Sequence, residues 1–164
     1  MANFSFEIFS EVDLQEVDNA VNQALKELSQ RYDFKNSKAT IVFDRKEKKI
    51  TLVADDDFKL VALTDILTLR LAKRGVSIKA FKFKEPEKAF EGYLRQSVEI
   101  CMGIDQPHAK ELVGIIKGLE IKVQTQIEGA KIKVSSAKKD DLQQVITHLR
   151  GLNFSIPLGF GNYR

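Results

Sequence analysis

Tryptophan is absent from this chain of 164 residues, cysteine occurs once, histidine twice and proline three times. The single cysteine, Cys101, excludes an intrachain disulfide, and a reducing, cytoplasmic setting is the expectation. No apolar run approaches the ~18 residues that a membrane span requires, so no membrane partner is expected. The opening Met1-Ala2-Asn3-Phe4-Ser5-Phe6-Glu7 lacks the basic stretch and apolar core of a secretory signal. Metal chemistry is poorly supplied. His108 and His148 fall in separate helical patterns with no Cys or carboxylate at metal spacing. Cys101 ends a strand pattern with no paired histidine, and reads as a buried free thiol. There is no Walker loop and no G-x-G-x-x-G, since Gly159-Phe160-Gly161 lacks the remaining spacing and the following helix. No nucleophile and base stand at a usable spacing, so neither an enzyme nor a cofactor is expected.

What the chain does contain is a pattern that occurs twice. Lys49–Val53 leads through Asp55-Asp56-Asp57 into the helical run Leu60–Leu71, then Gly75, Ser77 and Ile78. Lys131–Val134 leads through Asp140-Asp141 into the helical run Leu142–Leu149, then Gly151, Ser155 and Ile156. In each case acidic residues open the helix and a glycine ends it, as the helix dipole and the left-handed cap favour. The remaining pattern completes two β-α-β-β-α-β sets. The first has strands Phe4–Phe9, Thr40–Phe43, Lys49–Val53 and Ile78–Lys84, with a first helix capped by Asp13. The second has strands Leu94–Cys101, Lys122–Ile127, Lys131–Ser135 and Phe154–Phe160, with helices Asp105–Lys117 and Asp140–Arg150. The predicted fold class is α+β: tandem ferredoxin-like domains, each an antiparallel sheet with two helices on one face. The domains expected are 1–88 and 93–164, joined through Pro86 and Gly92. Periodicity does not say which sheet a strand joins, so a strand exchange between the two stays open.

Net charge is +3, and all of the excess lies in the second half, where residues 93–164 hold 10 Lys+Arg and 7 Asp+Glu. That half is the better candidate for meeting an anion. There Val123, Ile127, Ile132 and Val134 point to a core, while Lys122, Gln124, Gln126, Lys131 and Lys133 point outward. Ammonium groups suit phosphate, and side-chain amides read the donors and acceptors of a base. Antiparallel sheets also put such residues to solvent with no ligand at all. In the first half Val42, Val53 and Phe9 are expected on an open apolar face that needs cover from a protein partner, self-association or the other domain. Phe81 and Phe83 alternate with Lys82 and Lys84 and read as core rings with a solvated lysine stripe. The central strands lack the aromatic signature of an RNA-recognition motif, so no stacking ring is expected.

Several stretches in order resemble the YajQ family of small bacterial nucleotide-binding proteins. They run from Phe6-Glu7-Ile8 and Ser10-Glu11-Val12-Asp13 through Arg31-Tyr32-Asp33-Phe34-Lys35, Asp57-Phe58, Asp65-Ile66-Leu67 and Lys73-Arg74-Gly75. Gly103-Ile104, Lys122-Val123-Gln124-Thr125-Gln126-Ile127, Asp140-Asp141-Leu142-Gln143 and Leu158-Gly159-Phe160-Gly161-Asn162-Tyr163-Arg164 complete the set. The resemblance implies two domains similar to the ribonucleoprotein fold. It also implies binding of purine nucleotides, transfer RNA or, in a signalling role, cyclic di-GMP, without catalytic residues to carry over. Two departures stand out: Ser135-Ser136-Ala137 where a Thr-Gly-Lys-like stretch is usual, and Cys101-Met102 where a Lys-Gln pair is common. The expected function is non-enzymatic nucleotide binding, with cyclic di-GMP reception the sharpest form and RNA or protein binding as alternatives. The expected site residues are Lys122, Gln124, Gln126, Lys131, Lys133 and Arg164.

Overall fold

A computed structural model describes residues 4–164; the first three residues assigned to the N-terminal domain lie outside the described residues. The strands are β1 (Phe4–Phe9), β2 (Thr40–Asp44), β3 (Lys49–Ala54), β4 (Phe81–Phe83), β5 (Glu87–Lys88), β6 (Leu94–Ile100), β7 (Gln124–Glu128), β8 (Lys131–Ser136) and β9 (Gly159–Gly161). The helices are α1 (Leu14–Gln30), α2 (Asp57–Lys73), α3 (Gln106–Gly118) and α4 (Lys139–Arg150). The fold is α+β with two antiparallel sheets and four helices, as the repeated pattern predicts.

The sheets do not follow the contiguous halves 1–88 and 93–164. One compact unit is Val12–Cys101, and the other joins residues 4–11 to Met102–Arg164. They are called here the central and the terminal unit. In the terminal unit the strand order is β7-β8-β1-β9; in the central unit it is β2-β3-β6-β4, with β5 added against β6. The first strand of each sequence repeat therefore sits in the other repeat's sheet. The terminal unit runs β1-α3-β7-β8-α4-β9, whereas the central unit, β5 aside, runs α1-β2-β3-α2-β4-β6 with its exchanged strand last; in both, the exchanged strand lies in the middle of the sheet. The predicted strand Ile78–Lys84 is shorter, because Ile78–Ala80 forms a 3-10 turn before β4. The proposed joint carries β5 and is itself part of the central unit.

Alternation along the strands explains both cores. In the terminal unit Phe6 and Ile8 of β1 stand opposite Val134 and Ile132 of β8. All four are fully buried against Leu112 and Ile116 of α3 and Val145, Ile146 and Leu149 of α4. At roughly 1.5–3 kcal/mol for each large apolar side chain, this set dominates the unit's stability. In the central unit Ile50, Leu52 and Val98 of the sheet and Leu63, Leu67 and Leu71 of α2 are likewise fully buried. Three helix starts are capped: Asp13 accepts from the Gln15 and Glu16 amides, Asp56 from that of Lys59, and Asp105 from that of His108, whereas α4 starts after Lys138 without a side-chain cap and carries Asp140 and Asp141 in its first turn.

Two expectations about single residues change. Cys101 is exposed rather than buried, because it follows the last residue of β6; its amide donates to the Ala80 carbonyl at 2.7 Å. Phe9 belongs to the terminal sheet, so Phe9, Val42 and Val53 are not one sheet's face. Val42 is 55% exposed on the central sheet, whereas Val53 is half-buried. Phe81 is buried and Lys82 exposed, as the alternation requires.

Candidate functional site

The face of the terminal sheet opposite its helices is built by the residues that alternate with the core. Gln124, Gln126 and Glu128 of β7 stand opposite Ser135, Lys133 and Lys131 of β8. Ser135 and Lys133 in turn stand opposite Ser5 and Glu7 of β1. On the other side, Glu7 and Phe9 oppose Gly161 and Gly159 of β9. Beyond β9 the chain bulges at Asn162, whose φ is +51°, and Arg164 then exchanges both backbone hydrogen bonds with Ser5, at 2.9 and 3.0 Å. Five of the six residues expected from the sequence thus meet on or beside one face: Gln124, Gln126, Lys131, Lys133 and Arg164. Lys122 precedes β7; it is exposed, and its carbonyl accepts the Ser136 hydroxyl at 2.9 Å.

Sequence reasoning missed what β1 brings. Glu7 stands in the middle of this face, where its Oε2 accepts from Asn162 Nδ2 at 2.6 Å and lies 3.8 Å from Lys131 Nζ. The two lysines and Arg164 are therefore set against Glu7 and Glu128, so the face is mixed in sign rather than simply basic. Phe9 places an aromatic ring over β9. A Cβ on Gly159 would stand 2.8 Å from Phe9 Cδ2, and one on Gly161 3.1 Å from Cε1, so the ring lies across both glycines. Between them Phe160 turns to the core side, with its ring centroid 6.2 Å from that of Phe6. The signal was the out-of-phase Phe9 beside Phe6 and Ile8, but only the β1–β9 pairing connects it to Gly-Phe-Gly.

Ser135-Ser136-Ala137 has a structural use. Ser136 is buried, donates to the Lys122 carbonyl, and accepts the Lys138 amide at 3.2 Å, which shapes the entry to α4. His108 and Asp105 form a local pair, with Nδ1 2.6 Å from Oδ1, at the start of α3. The His108 amide, and then its ring, hold the Asp105 carboxyl below the usual carboxylate range. Among the described residues no group of three His, Cys, Asp or Glu is placed to hold a metal, and no helix is long and apolar enough to cross a membrane.

The central unit offers a cavity of about 380 Å³ lined by Leu60, Val61, Phe83 and Pro86 with Asp57, Asp65, Thr64 and Gln96. Its charged groups are carboxylates, the wrong sign for phosphate. The terminal sheet is the better candidate for an anion that also carries a ring.

A family model described as nucleotide-binding protein YajQ-like matches residues 4–164. A protein of Endomicrobium trichonymphae named "Nucleotide-binding protein" is 58% identical over 161 residues, 98% of each chain. A nucleotide-binding protein of Bdellovibrio bacteriovorus is 49% identical over 160 residues, again 98% of each chain. One from Carboxydothermus hydrogenoformans is 48% identical over 163 residues, 99% of each chain.

Proposed function

The chain belongs to the YajQ-like family of nucleotide-binding proteins, and from that premise we propose that it binds a purine nucleotide, without turnover, on the open face of the terminal sheet. The observation that carries this reading is the grouping of Lys131, Lys133, Gln124, Gln126 and Arg164 beside an aromatic ring on one antiparallel face. The lysines and Arg164 serve phosphate, while Gln124 and Gln126 offer donors and acceptors to the ligand's sugar or base. Cyclic di-GMP reception is the specific form we favour. It matches a face with few cations and one central carboxylate better than a long polyanion does, because each RNA phosphate contact asks for its own cation. Protein binding and self-association are the remaining readings.

The test is calorimetric titration of the purified chain with cyclic di-GMP, GTP, ATP and a transfer-RNA mixture at two salt concentrations. Binding of a small nucleotide with a shallow salt dependence, weakened about tenfold or more in the Lys131→Ala, Lys133→Ala double variant, is the expected result. Binding of RNA alone, with a slope of about −0.7 to −0.9 per phosphate contact in log affinity against log salt, would instead favour RNA. No binding of any of the four removes the nucleotide assignment for this chain and leaves the protein-partner reading.

A further inference from the structure

Two glycines in one strand are unusual in a sheet, because glycine adds no packing and loses the most conformational freedom on folding. Here both are required by one neighbour. The Phe9 ring occupies the space that a Cβ on Gly159 or Gly161 would take, with Cδ2, Cε2 and Cζ over Gly159 and Cε1 and Cζ over Gly161. Its Cε1–Cζ–Cε2 edge thus runs along β9, and the residue is half-buried on the open face. Phe9 contributes nothing to the helix-side core, which draws on Phe6 and Ile8 from the same strand. A half-buried apolar ring on the open face, over a strand that carries no side chain on that face, has the arrangement of a platform. Such rings bind bases by stacking.

The neighbours of the ring supply the rest of a nucleotide's needs. Continuing the β1–β8 register past the Ile8–Ile132 pair sets Lys131 beside Phe9. Two residues along the same face is Glu7. Its contacts with Asn162 and Lys131 both fall on Oε2. An ionised carboxylate only accepts. Guanine offers two adjacent N–H donors on its pairing edge, whereas adenine sets an acceptor beside its single amino group there.

Resting on the reading of the terminal face as a nucleotide site, we propose that Phe9, seated on Gly159 and Gly161, is the base-stacking residue. Glu7 takes the N–H edge of the base, so the site prefers guanine to adenine. The lysines then hold phosphate on the β8 side of the ring. Gly159 and Gly161 act as positioning residues, through the attitude of the Phe9 ring.

The experiment uses the full chain and titrates GTP, ATP and cyclic di-GMP into wild type, Phe9→Leu, Gly159→Ala, Glu7→Gln and Phe9→Trp. Phe9→Leu and Gly159→Ala should each weaken GTP and cyclic di-GMP binding by about 5- to 100-fold, the usual range for losing one stacked base. The GTP-over-ATP preference should shrink severalfold in Glu7→Gln. Since the chain has no tryptophan, Phe9→Trp places one indole reporter at the stacking position, and bound guanine nucleotide should quench its fluorescence. Nucleotide binding in wild type with unchanged affinity in Phe9→Leu, or no quenching of the introduced indole on saturation, would overturn the stacking role while leaving the nucleotide site standing. An unaltered guanine preference in Glu7→Gln would overturn the edge-reading role. If wild type binds none of the three, the nucleotide reading itself fails and the stacking proposal goes with it. Should Phe9→Leu fail to fold, the Phe9→Trp titration decides.

Discussion

The two units share one arrangement of strands and helices but use their charged residues differently. In the central unit arginines of α2 reach carboxylates of α1: Arg74 holds Glu16 with two contacts of 2.8 and 2.9 Å, and Arg70 holds Glu27. These ion pairs fasten helix to helix. Its open sheet face pairs charge with charge, as in Lys84 with Glu99 at 3.4 Å, and leaves Val42 uncovered. In the terminal unit the helices meet the sheet through apolar residues, and the lysines, the central glutamate and the ring stand on the open face. One skeleton thus hosts a unit braced by helix-to-helix ion pairs and a unit that gathers lysines, a glutamate and a ring on its open face, which is why fold by itself does not assign function.

The strand exchange makes the sharpest test of that comparison. Fragments 1–88 and 93–164, expressed separately, should both fail to give dispersed amide spectra, since each lacks the strand at the middle of its sheet. Adding a peptide of residues 4–11 to 93–164 should restore structure in that fragment. Well-folded separate fragments would show that the two sheets tolerate a different pairing.

Next in size is the core. Ile132→Ala removes a fully buried side chain of β8, opposite Ile8 in the terminal core, and should cost about 2–5 kcal/mol in chemical denaturation. Val42→Thr on the open central face should stay within about 0.5 kcal/mol. A loss at Val42 as large as that at Ile132 would mean that Val42 is covered in solution. Ser136→Ala leaves the Lys122 carbonyl without its donor and the Lys138 amide without its acceptor. A loss of about 1–3 kcal/mol is expected, and an unchanged stability would leave the turn before α4 without a structural reason for its serine.

The smallest effect is a dependence on pH. The Arg74 side chain holds the Glu16 carboxyl below the usual range, as Arg31 does for Asp33 and His108 for Asp105. A lowered folded pKa stabilises the protein above the unfolded carboxylate value near about 4, and that gain disappears as pH falls through the lowered folded value. Melting temperature should therefore drop on acidification below about pH 4. The gap between wild type and Glu16→Gln should close over the same interval. A gap that stays constant to low pH would deny the Glu16–Arg74 pair a role in the native state.

Much of this was readable before any coordinates. Asp13, Asp56 and Asp105 announced helix starts because a short carboxylate in front of an apolar period has a local use. Lys131, Ile132, Lys133 and Val134 announced a two-faced strand for the same kind of reason. Phe9 was misplaced, since its neighbour in the chain is α1 while its neighbours in space are Gly159 and Gly161. The open face looked purely basic because Glu7 lies more than a hundred residues from the lysines it joins.

The amino-acid sequence alone determined the four helices, the strands apart from β5 and the true extent of β4 and β9, the alternation of core and surface, and the family, because these rest on local periodicity and ordered motifs. The tertiary structure alone decided that β1 and β6 change sheets and that a ring and a carboxylate join the lysines. Pairing between distant strands is chosen by the burial of whole faces against each other, and no local pattern in the chain records that choice.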